Sequence, residues 1–127
     1  MKKNGLLLVL LVLITILGGC TRGSGTVTNA SELNTSTKMS MLYDKFNGYK
    51  EAQIKVKEGE SVVVTVNFVT ESGSIDAYIA KNNDTDNSSY EGHDISTSSF
   101  TVTLSEQRNY TIRVDAKDHT GSYSFSW

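Results

Sequence analysis

Proline is absent from this 127-residue chain, and cysteine and tryptophan each occur only once. A single cysteine excludes a fold held together by intramolecular disulfides. Charged residues make up 20% of the chain, with 12 basic and 14 acidic side chains, and no basic patch is interleaved with aromatic residues. Nucleic acid is therefore not an expected partner. The one long apolar run covers residues 6–17, which excludes a membrane protein with several spans.

Residues 1–19 have the pattern of an export signal. Lys2 and Lys3 form a short positive region, and residues 6–17 place 11 apolar side chains in 12 positions. As a helix this run is about 18 Å long, because each residue adds ~1.5 Å. The hydrocarbon core of a bilayer is roughly 30 Å thick. The run therefore favours a cleaved signal peptide over a permanent transmembrane anchor.

Cys20 directly follows Leu17, Gly18 and Gly19. This tetrapeptide resembles the lipobox of bacterial lipoproteins, in which an aliphatic residue and two small ones precede an obligatory cysteine. The resemblance implies that the Cys20 thiol receives a diacylglycerol, that cleavage follows Gly19, and that the mature protein takes up palmitate. The chain would then be a lipoprotein, lipid-anchored at the extracytoplasmic face of the cell membrane. The alternative is an ordinary signal peptide with a chance cysteine.

Residues 20–40 are expected to form the lipidated N-terminus and a flexible linker. Thirteen of the twenty residues from Thr21 to Ser40 are Ser, Thr, Asn or Gly, and they show no hydrophobic periodicity. A coil of this length has a root-mean-square span of about 25 Å. An alternative is that residues 31–33 begin a short helix or add an edge strand.

Residues 41–127 alternate apolar and polar side chains in short runs, which is typical of β-strands with one buried face. The inward-facing set is predicted to include Ala52, Ile54, Val56, Val62, Val64, Val66, Phe68, Ile75, Ala77, Ile79, Phe100, Val102, Leu104, Tyr110, Ile112, Val114, Tyr123, Phe125 and Trp127. Turns are expected at 58–60 and 72–73, while Asn47-Gly48 is either a hairpin turn or a bulge. The pattern predicts an all-β, antiparallel, jelly-roll-like β-sandwich of seven or eight short strands.

Several segments of this region resemble the bacterial pre-peptidase C-terminal domain and similar small lipoproteins of Gram-positive bacteria. The segments are residues 56–66 (VKEGESVVVTV), 73–79 (GSIDAYI), 109–114 (NYTIRV) and 121–125 (GSYSF). The resemblance implies a β-sandwich with an accessory, non-catalytic role, and it transfers no site residue.

Candidate catalytic and metal-binding residues are few. His93-Asp94 and Asp118-His119 are interpreted as solvated turns, although His and Asp side chains are common metal ligands and general bases. The oxygen-rich segment 82–87 lacks the Gly and Glu that close an EF-hand loop. No G-x-S-x-G, P-loop or dinucleotide fingerprint occurs. We therefore expect no enzyme activity, no cofactor and no metal site.

Tyr43, Tyr49, Tyr78 and Tyr90 are expected to be partly exposed, and we interpret them first as isolated surface tyrosines that cover the sheet. The alternative, which makes them candidate binding residues, is a row of tyrosines on one sheet face that stacks on sugar rings or contacts a protein. The sequence thus predicts a non-catalytic binding or accessory module, joined to the membrane through covalent diacylglycerol. Its ligand is an unidentified protein or polysaccharide. A cell-wall or carbohydrate-binding module and a small envelope inhibitor or immunity protein remain alternatives.

Overall fold

The computed structural model describes residues 21–82 and 84–127, which form seven strands and one short 3-10 helix. The strands are β1 (Arg22–Thr28), β2 (Ser31–Thr35), β3 (Lys38–Val56), β4 (Val62–Lys81), β5 (Ser88–Gly92), β6 (Ser98–Leu104) and β7 (Arg108–Ser126), and the helix is Thr85–Asn87. Within these ranges all strand pairs are antiparallel, so the predicted all-β class is confirmed. The described helix is far too short and too polar to cross a bilayer.

Three long strands form the centre of the sheet in the order β3–β7–β4. β1 and β2 pair with the free edge of β3, and β5 and β6 pair with the free edge of β4. Each edge of the long-stranded centre is therefore covered by two short strands placed end to end.

All three long strands bend at the same level. The pairing register shifts between Tyr43 and Gly48 in β3 and between Thr70 and Ser74 in β4, and β7 passes the bend between Ala116 and Gly121. The bend divides the sheet into two leaves. The first leaf contains residues 38–43, 62–70 and 121–126 with β2 and β6, and the second leaf contains residues 48–56, 74–81 and 108–116 with β1 and β5.

Gly73 shows why the bend needs glycine. Its φ angle is 73°, and a Cβ atom at this position would lie 1.9 Å from the carbonyl oxygen of Asp118. The sequence pattern predicts a turn at Ser72-Gly73, but the structure places both residues inside β4. Gly48 likewise lies in a bulge inside β3 rather than in a hairpin turn. The predicted short strands on either side of these glycines are therefore halves of longer, bent strands.

The two leaves pack face to face over one hydrophobic core, which makes the folded sheet a β-sandwich. Alternate residues of the long strands are buried in it, as the period-2 pattern predicts, and Phe46, Phe68, Tyr110, Tyr123 and Phe125 are the largest aromatic members. Tyr90 of β5 and Phe100 of β6 meet across the leaves with ring centres 4.8 Å apart. Burial of these aromatic side chains, each covering ~150–250 Å², supplies a large share of the stability of so small a domain.

Residues 21–40 contain strands, whereas the sequence predicts a flexible linker there and a folded domain that begins at residue 41. β1 and β2 occupy most of residues 21–35 and pair along β3. β2 agrees with the alternative of an added edge strand at residues 31–33, whereas the sequence pattern does not predict β1. Every residue of β1 is exposed, so backbone hydrogen bonds rather than side-chain burial hold this strand. A prediction from hydrophobic periodicity recognises strands by their buried face, so it does not recognise a strand that has none. The expected signal peptide with Leu17, Gly18 and Gly19, and the expected lipidation site Cys20, lie outside the described residues.

Candidate binding face

The outer face of the second leaf carries an arginine flanked by two tyrosines. Arg113 lies on β7, directly opposite Glu51 of β3 on one side and Tyr78 of β4 on the other. Tyr49 lies two residues before Glu51 and pairs with Asp115. All five side chains point outward because they alternate with residues on the buried side of the same strands. We call these five outward residues the tyrosine–arginine face.

Arg113 is held by Tyr49 and Asp115 on this face. Its guanidinium carbon lies 4.1 Å from the centre of the Tyr49 ring, within the range of a cation–π contact. Its Nε and Nη2 atoms donate to the two carboxylate oxygens of Asp115 at 3.0 and 2.9 Å. These hydrogen bonds raise the pKa of Arg113 above its ordinary value, against the opposing effect of burial. The guanidinium group is therefore a permanent, oriented cation.

Glu51 is a buried carboxylate on an otherwise open face, with only 3% of its surface exposed. Nε of Arg22 donates to its Oε1 atom, and Nη1 of Arg113 lies 3.7 Å from its Oε2 atom. A buried charge is costly unless it is paired, and here two guanidinium groups compensate it. The strand β1, which supplies Arg22, thus completes this charge network.

Tyr78 lies half-buried beside the same charges. Burial raises the pKa of its hydroxyl, Glu51 and Asp115 raise it further, and Arg113 opposes them. The hydroxyl therefore stays protonated at neutral pH. Together, Tyr49 and Tyr78 present aromatic surface next to charges whose orientation is fixed, and this combination suits a ligand with both apolar and hydroxylated surface.

The other two candidate tyrosines lie elsewhere. Tyr43 is only 3% exposed, so the expectation that it faces solvent is wrong. Tyr90 belongs to the inward side of β5, where it packs against Phe100. Of the four candidates, only Tyr49 and Tyr78 therefore share one outer face. The sequence contains no signal for Arg113 or Glu51, because the placement of Arg113 beside Glu51 and between these tyrosines depends on the pairing register of β3, β7 and β4.

The two histidine pairs are not brought into one site. His119 is completely buried at the bend, which contradicts its interpretation as part of a solvated turn. His93 is exposed, with its ring nitrogens 3.6 Å from a carboxylate oxygen of Asp76 and 3.3 Å from one of Glu91. Residues 84–87 form a solvent-exposed 3-10 turn in which Asp84 caps the helix. Across 21–82 and 84–127, the structure contains no group of three or more potential metal ligands.

The outer face of the first leaf differs sharply in chemistry. The central strand β7 presents Ser122, Ser124 and Ser126 on this face, β4 adds Thr65, and β6 adds Thr101 beside Thr65. Exposed aliphatic side chains border these hydroxyls, namely Leu33, Leu42, Val63 and Val69. Hydroxyl and aliphatic groups thus characterise this face, whereas the second leaf concentrates aromatic side chains and paired charges around Arg113.

No protein-family model matches the chain, and no curated protein matches it. Among solved structures, the chain is similar to the pre-peptidase C-terminal domain of a collagenase from Bacillus anthracis, with 11% identity and a TM-score of 0.42. That match covers 85% of this chain and 87% of the other. The domain family named from the sequence pattern is therefore among the structures that this chain resembles.

Two carbohydrate-binding modules are also similar. TmCBM61, solved in complex with β-1,4-galactotriose, has 15% identity and a TM-score of 0.41, over 88% of each chain. The low-affinity xylan-binding module CBM86 from Roseburia intestinalis has 10% identity and a TM-score of 0.39, over 85% of this chain and 96% of the other.

Proposed function

We propose that this chain is a lipoprotein, held at the extracytoplasmic face of the cell membrane by a diacylglycerol on Cys20. Its folded body is a non-catalytic binding module for a polysaccharide of the cell envelope. The anchor is supported by the sequence Leu17-Gly18-Gly19-Cys20 at the end of an apolar run. The binding function is supported by one arrangement above all, the pair Tyr49 and Tyr78 around Arg113.

The tyrosine–arginine face matches the two kinds of surface on a sugar ring. The ring presents apolar C–H groups on its faces, which pack against aromatic side chains, and hydroxyl groups around its rim, which hydrogen-bond to charged groups. Tyr49 and Tyr78 supply the aromatic surface, and Arg113 supplies the donors. Because Asp115 and Glu51 already orient the guanidinium group, little conformational entropy is lost when a ligand binds.

The same contacts support a non-catalytic role. A glycosidase needs one carboxyl group as a general acid and a second as a nucleophile or base. On this face Asp115 accepts two hydrogen bonds from Arg113, and Glu51 is buried against Arg22 and Arg113. Both carboxylates are thus occupied in holding the guanidinium group.

A sedimentation assay with insoluble peptidoglycan tests the ligand. The full chain, in membrane vesicles, is expected to co-sediment with the polymer, and the Tyr49→Ala/Tyr78→Ala variant is expected to lose at least tenfold in retention. The matched Tyr49→Phe/Tyr78→Phe variant keeps both rings and should retain most of the binding. Equal retention by the alanine and phenylalanine variants, or no retention of the wild type, would contradict the proposal.

Metabolic labelling with palmitate tests the anchor separately. We expect label in the wild-type chain and none in the Cys20→Ala variant. Equal labelling of the two chains would exclude Cys20 as the lipidated residue and leave the tyrosine–arginine face unaffected.

A further inference from the structure

An open cleft of about 630 Å³ lies at the end of the sandwich opposite the bend. Its basic lining residues are Lys55 and Lys57 at the end of β3 and Arg108 at the start of β7. Amide side chains form much of the remaining lining, from Asn82, Gln107 and Asn109. Among the described residues, the lining contains three cations and no carboxylate, although the whole chain carries more acidic than basic residues.

Two acidic residues near this cleft have partners of their own, whereas Glu58 lies exposed in the turn that follows Lys57. Glu106 forms an ion pair with Lys81, which lowers the pKa of its carboxyl group. The Oε1 atom of Glu60 accepts a hydrogen bond from the backbone N–H of Lys57 at 3.1 Å. Among the ion pairs of the described residues, none involves Lys55, Lys57 or Arg108. Arg108 donates to the carbonyl oxygen of Gln107 at 3.3 Å and, together with Lys81, lowers the pKa of Glu106. Lys55 and Lys57 are therefore the two lining cations most available to an anionic ligand.

The chain enters the fold from the side of this cleft. β1 runs antiparallel to β3, with Arg22 opposite Glu51 and Thr28 opposite Lys45. Moving from Arg22 toward the N-terminus therefore means moving along β3 toward Lys55. At ~3.3 Å per residue, Lys55 lies only about 13 Å beyond the level of Arg22.

We propose that this cleft binds the phosphate of an anionic phospholipid head group, so that the open end of the sandwich rests on the bilayer. The inference depends on the proposed lipid anchor, because an acylated Cys20 two residues before β1 brings this end to the membrane. Lysine, arginine and amide side chains are the groups that bind phosphate oxygens. Each lysine or arginine close to an anionic membrane surface increases the ratio of membrane-bound to unbound cleft about fivefold.

With the open end of the sandwich on the bilayer, the proposed polysaccharide site stays accessible. The tyrosine–arginine face lies on the side of the sandwich rather than at its open end, since Arg113 lies midway between the cleft residue Arg108 and the bend. A head group in the cleft would therefore leave Tyr49 and Tyr78 accessible to a polysaccharide beside the membrane.

Hydrogen exchange of the full chain in lipid vesicles tests the proposal. Vesicles of phosphatidylcholine are compared with vesicles that also contain phosphatidylglycerol. We expect slower amide exchange in residues 57–60 and 105–109 when phosphatidylglycerol is present. In the Lys55→Gln/Lys57→Gln variant the bound population should fall about 25-fold, so this protection should disappear.

The matched control is Lys45→Gln/Lys117→Gln, which removes two exposed lysines at the bend and should leave the protection unchanged. Equal exchange in the two kinds of vesicle would overturn the proposal. Protection by inorganic phosphate in phosphatidylcholine vesicles, with none from phosphatidylglycerol, would also contradict it and assign the cleft to a soluble phosphate. Flotation distinguishes a failure of the proposed anchor from a failure of the cleft proposal. Without the anchor, the wild-type chain would not float with phosphatidylcholine vesicles.

Discussion

The hydroxyl oxygen of Tyr43 lies 2.5 Å from Nδ1 of His119, inside the bend that joins the two leaves. The Nε2 atom of the same ring lies 2.8 Å from Oγ1 of Thr70, and the Thr70 hydroxyl donates to the carbonyl oxygen of Ile95 at 2.7 Å. Since Thr70 already donates to Ile95, it accepts from Nε2–H of His119. Nδ1 is then the acceptor, and Tyr43 is its donor. The four groups thus link β3, β7, β4 and the loop before β6 through a neutral histidine.

Stability should therefore fall in acid because of His119. Burial lowers the pKa of this imidazole below its ordinary value, so the unfolded chain takes up a proton more readily than the folded chain. The free energy of unfolding should decrease as pH falls from about 6.5 toward the folded-state pKa, by at most about 1.4 kcal/mol per pH unit. Melting temperatures between pH 8 and pH 4 would measure the effect.

The second histidine supplies the control for this titration. His93→Gln is the matched histidine substitution, because this exposed side chain takes no part in the hydrogen bonds that hold His119 at the bend. His119→Gln should be less stable at pH 8 and should show a shallower slope between pH 6.5 and the folded-state pKa. If the stability of His119→Gln depends on pH as steeply as that of the wild type, His119 is not the source of the acid sensitivity.

Substitution of Gly73 should be much more damaging than substitution of Gly59. The two glycines have almost the same φ angle, 73° and 75°, so an alanine at either position meets the same local backbone strain. At Gly59 an added Cβ has no atom within 4 Å, whereas at Gly73 it would lie 1.9 Å from the Asp118 carbonyl oxygen. We expect Gly59→Ala to cost about 1 kcal/mol and Gly73→Ala about 3 kcal/mol or more. Urea unfolding measures both, and similar midpoints would contradict the bend geometry.

The charge network on the tyrosine–arginine face predicts an asymmetric response to mutation. Arg113→Met leaves the buried Glu51 with Arg22 alone, and an incompletely paired buried charge should cost about 3 kcal/mol. Glu51→Gln removes that charge and leaves Arg113 bound to Asp115, so it should cost only about 1 kcal/mol. Urea unfolding of both variants tests this order. The reverse order would show that Glu51, rather than Arg113, is the more important member.

The sequence pattern is a good guide to the core and a poor guide to the connections. Period-2 alternation correctly assigns the inward side of Ile54, Val66 and Ile112, because burial of one strand face is a local property of the sequence. The same alternation cannot distinguish a turn from a bulge. A glycine such as Gly73 is compatible with a turn and with a bulge. The pairing of β4 with β7 on each side of Gly73 shows that β4 is one continuous strand.

The candidate site could be predicted only in part. Tyrosines on polar strand faces can be found from the sequence, but Tyr43 and Tyr90 face the interior while Tyr49 and Tyr78 do not. The proximity of Tyr49 and Tyr78 to Arg113 depends on long-range register, which a single sequence does not contain. The burial of His119 could not be predicted from the sequence for the same reason. Its neighbours in sequence are polar, and its two hydrogen-bond partners come from distant strands.

β1 provides the sharpest contrast between sequence composition and structure. Its sequence, RGSGTVT, has the composition of a flexible linker, yet it pairs with β3 over seven residues. Amides of residues 22–28 that donate to β3 should therefore exchange at least tenfold more slowly than those of an unstructured chain. Gly25→Ala would place a Cβ atom 2.0 Å from the carbonyl oxygen of Asn47 in β3 and should raise exchange along the strand, while Gly59→Ala, whose Cβ would have no atom within 4 Å, serves as the control. Exchange of β1 at the unstructured rate in the wild type would support the expected flexible linker, which would let the domain move about 25 Å from the proposed anchor. A protected β1 would instead hold the folded body within two residues of Cys20.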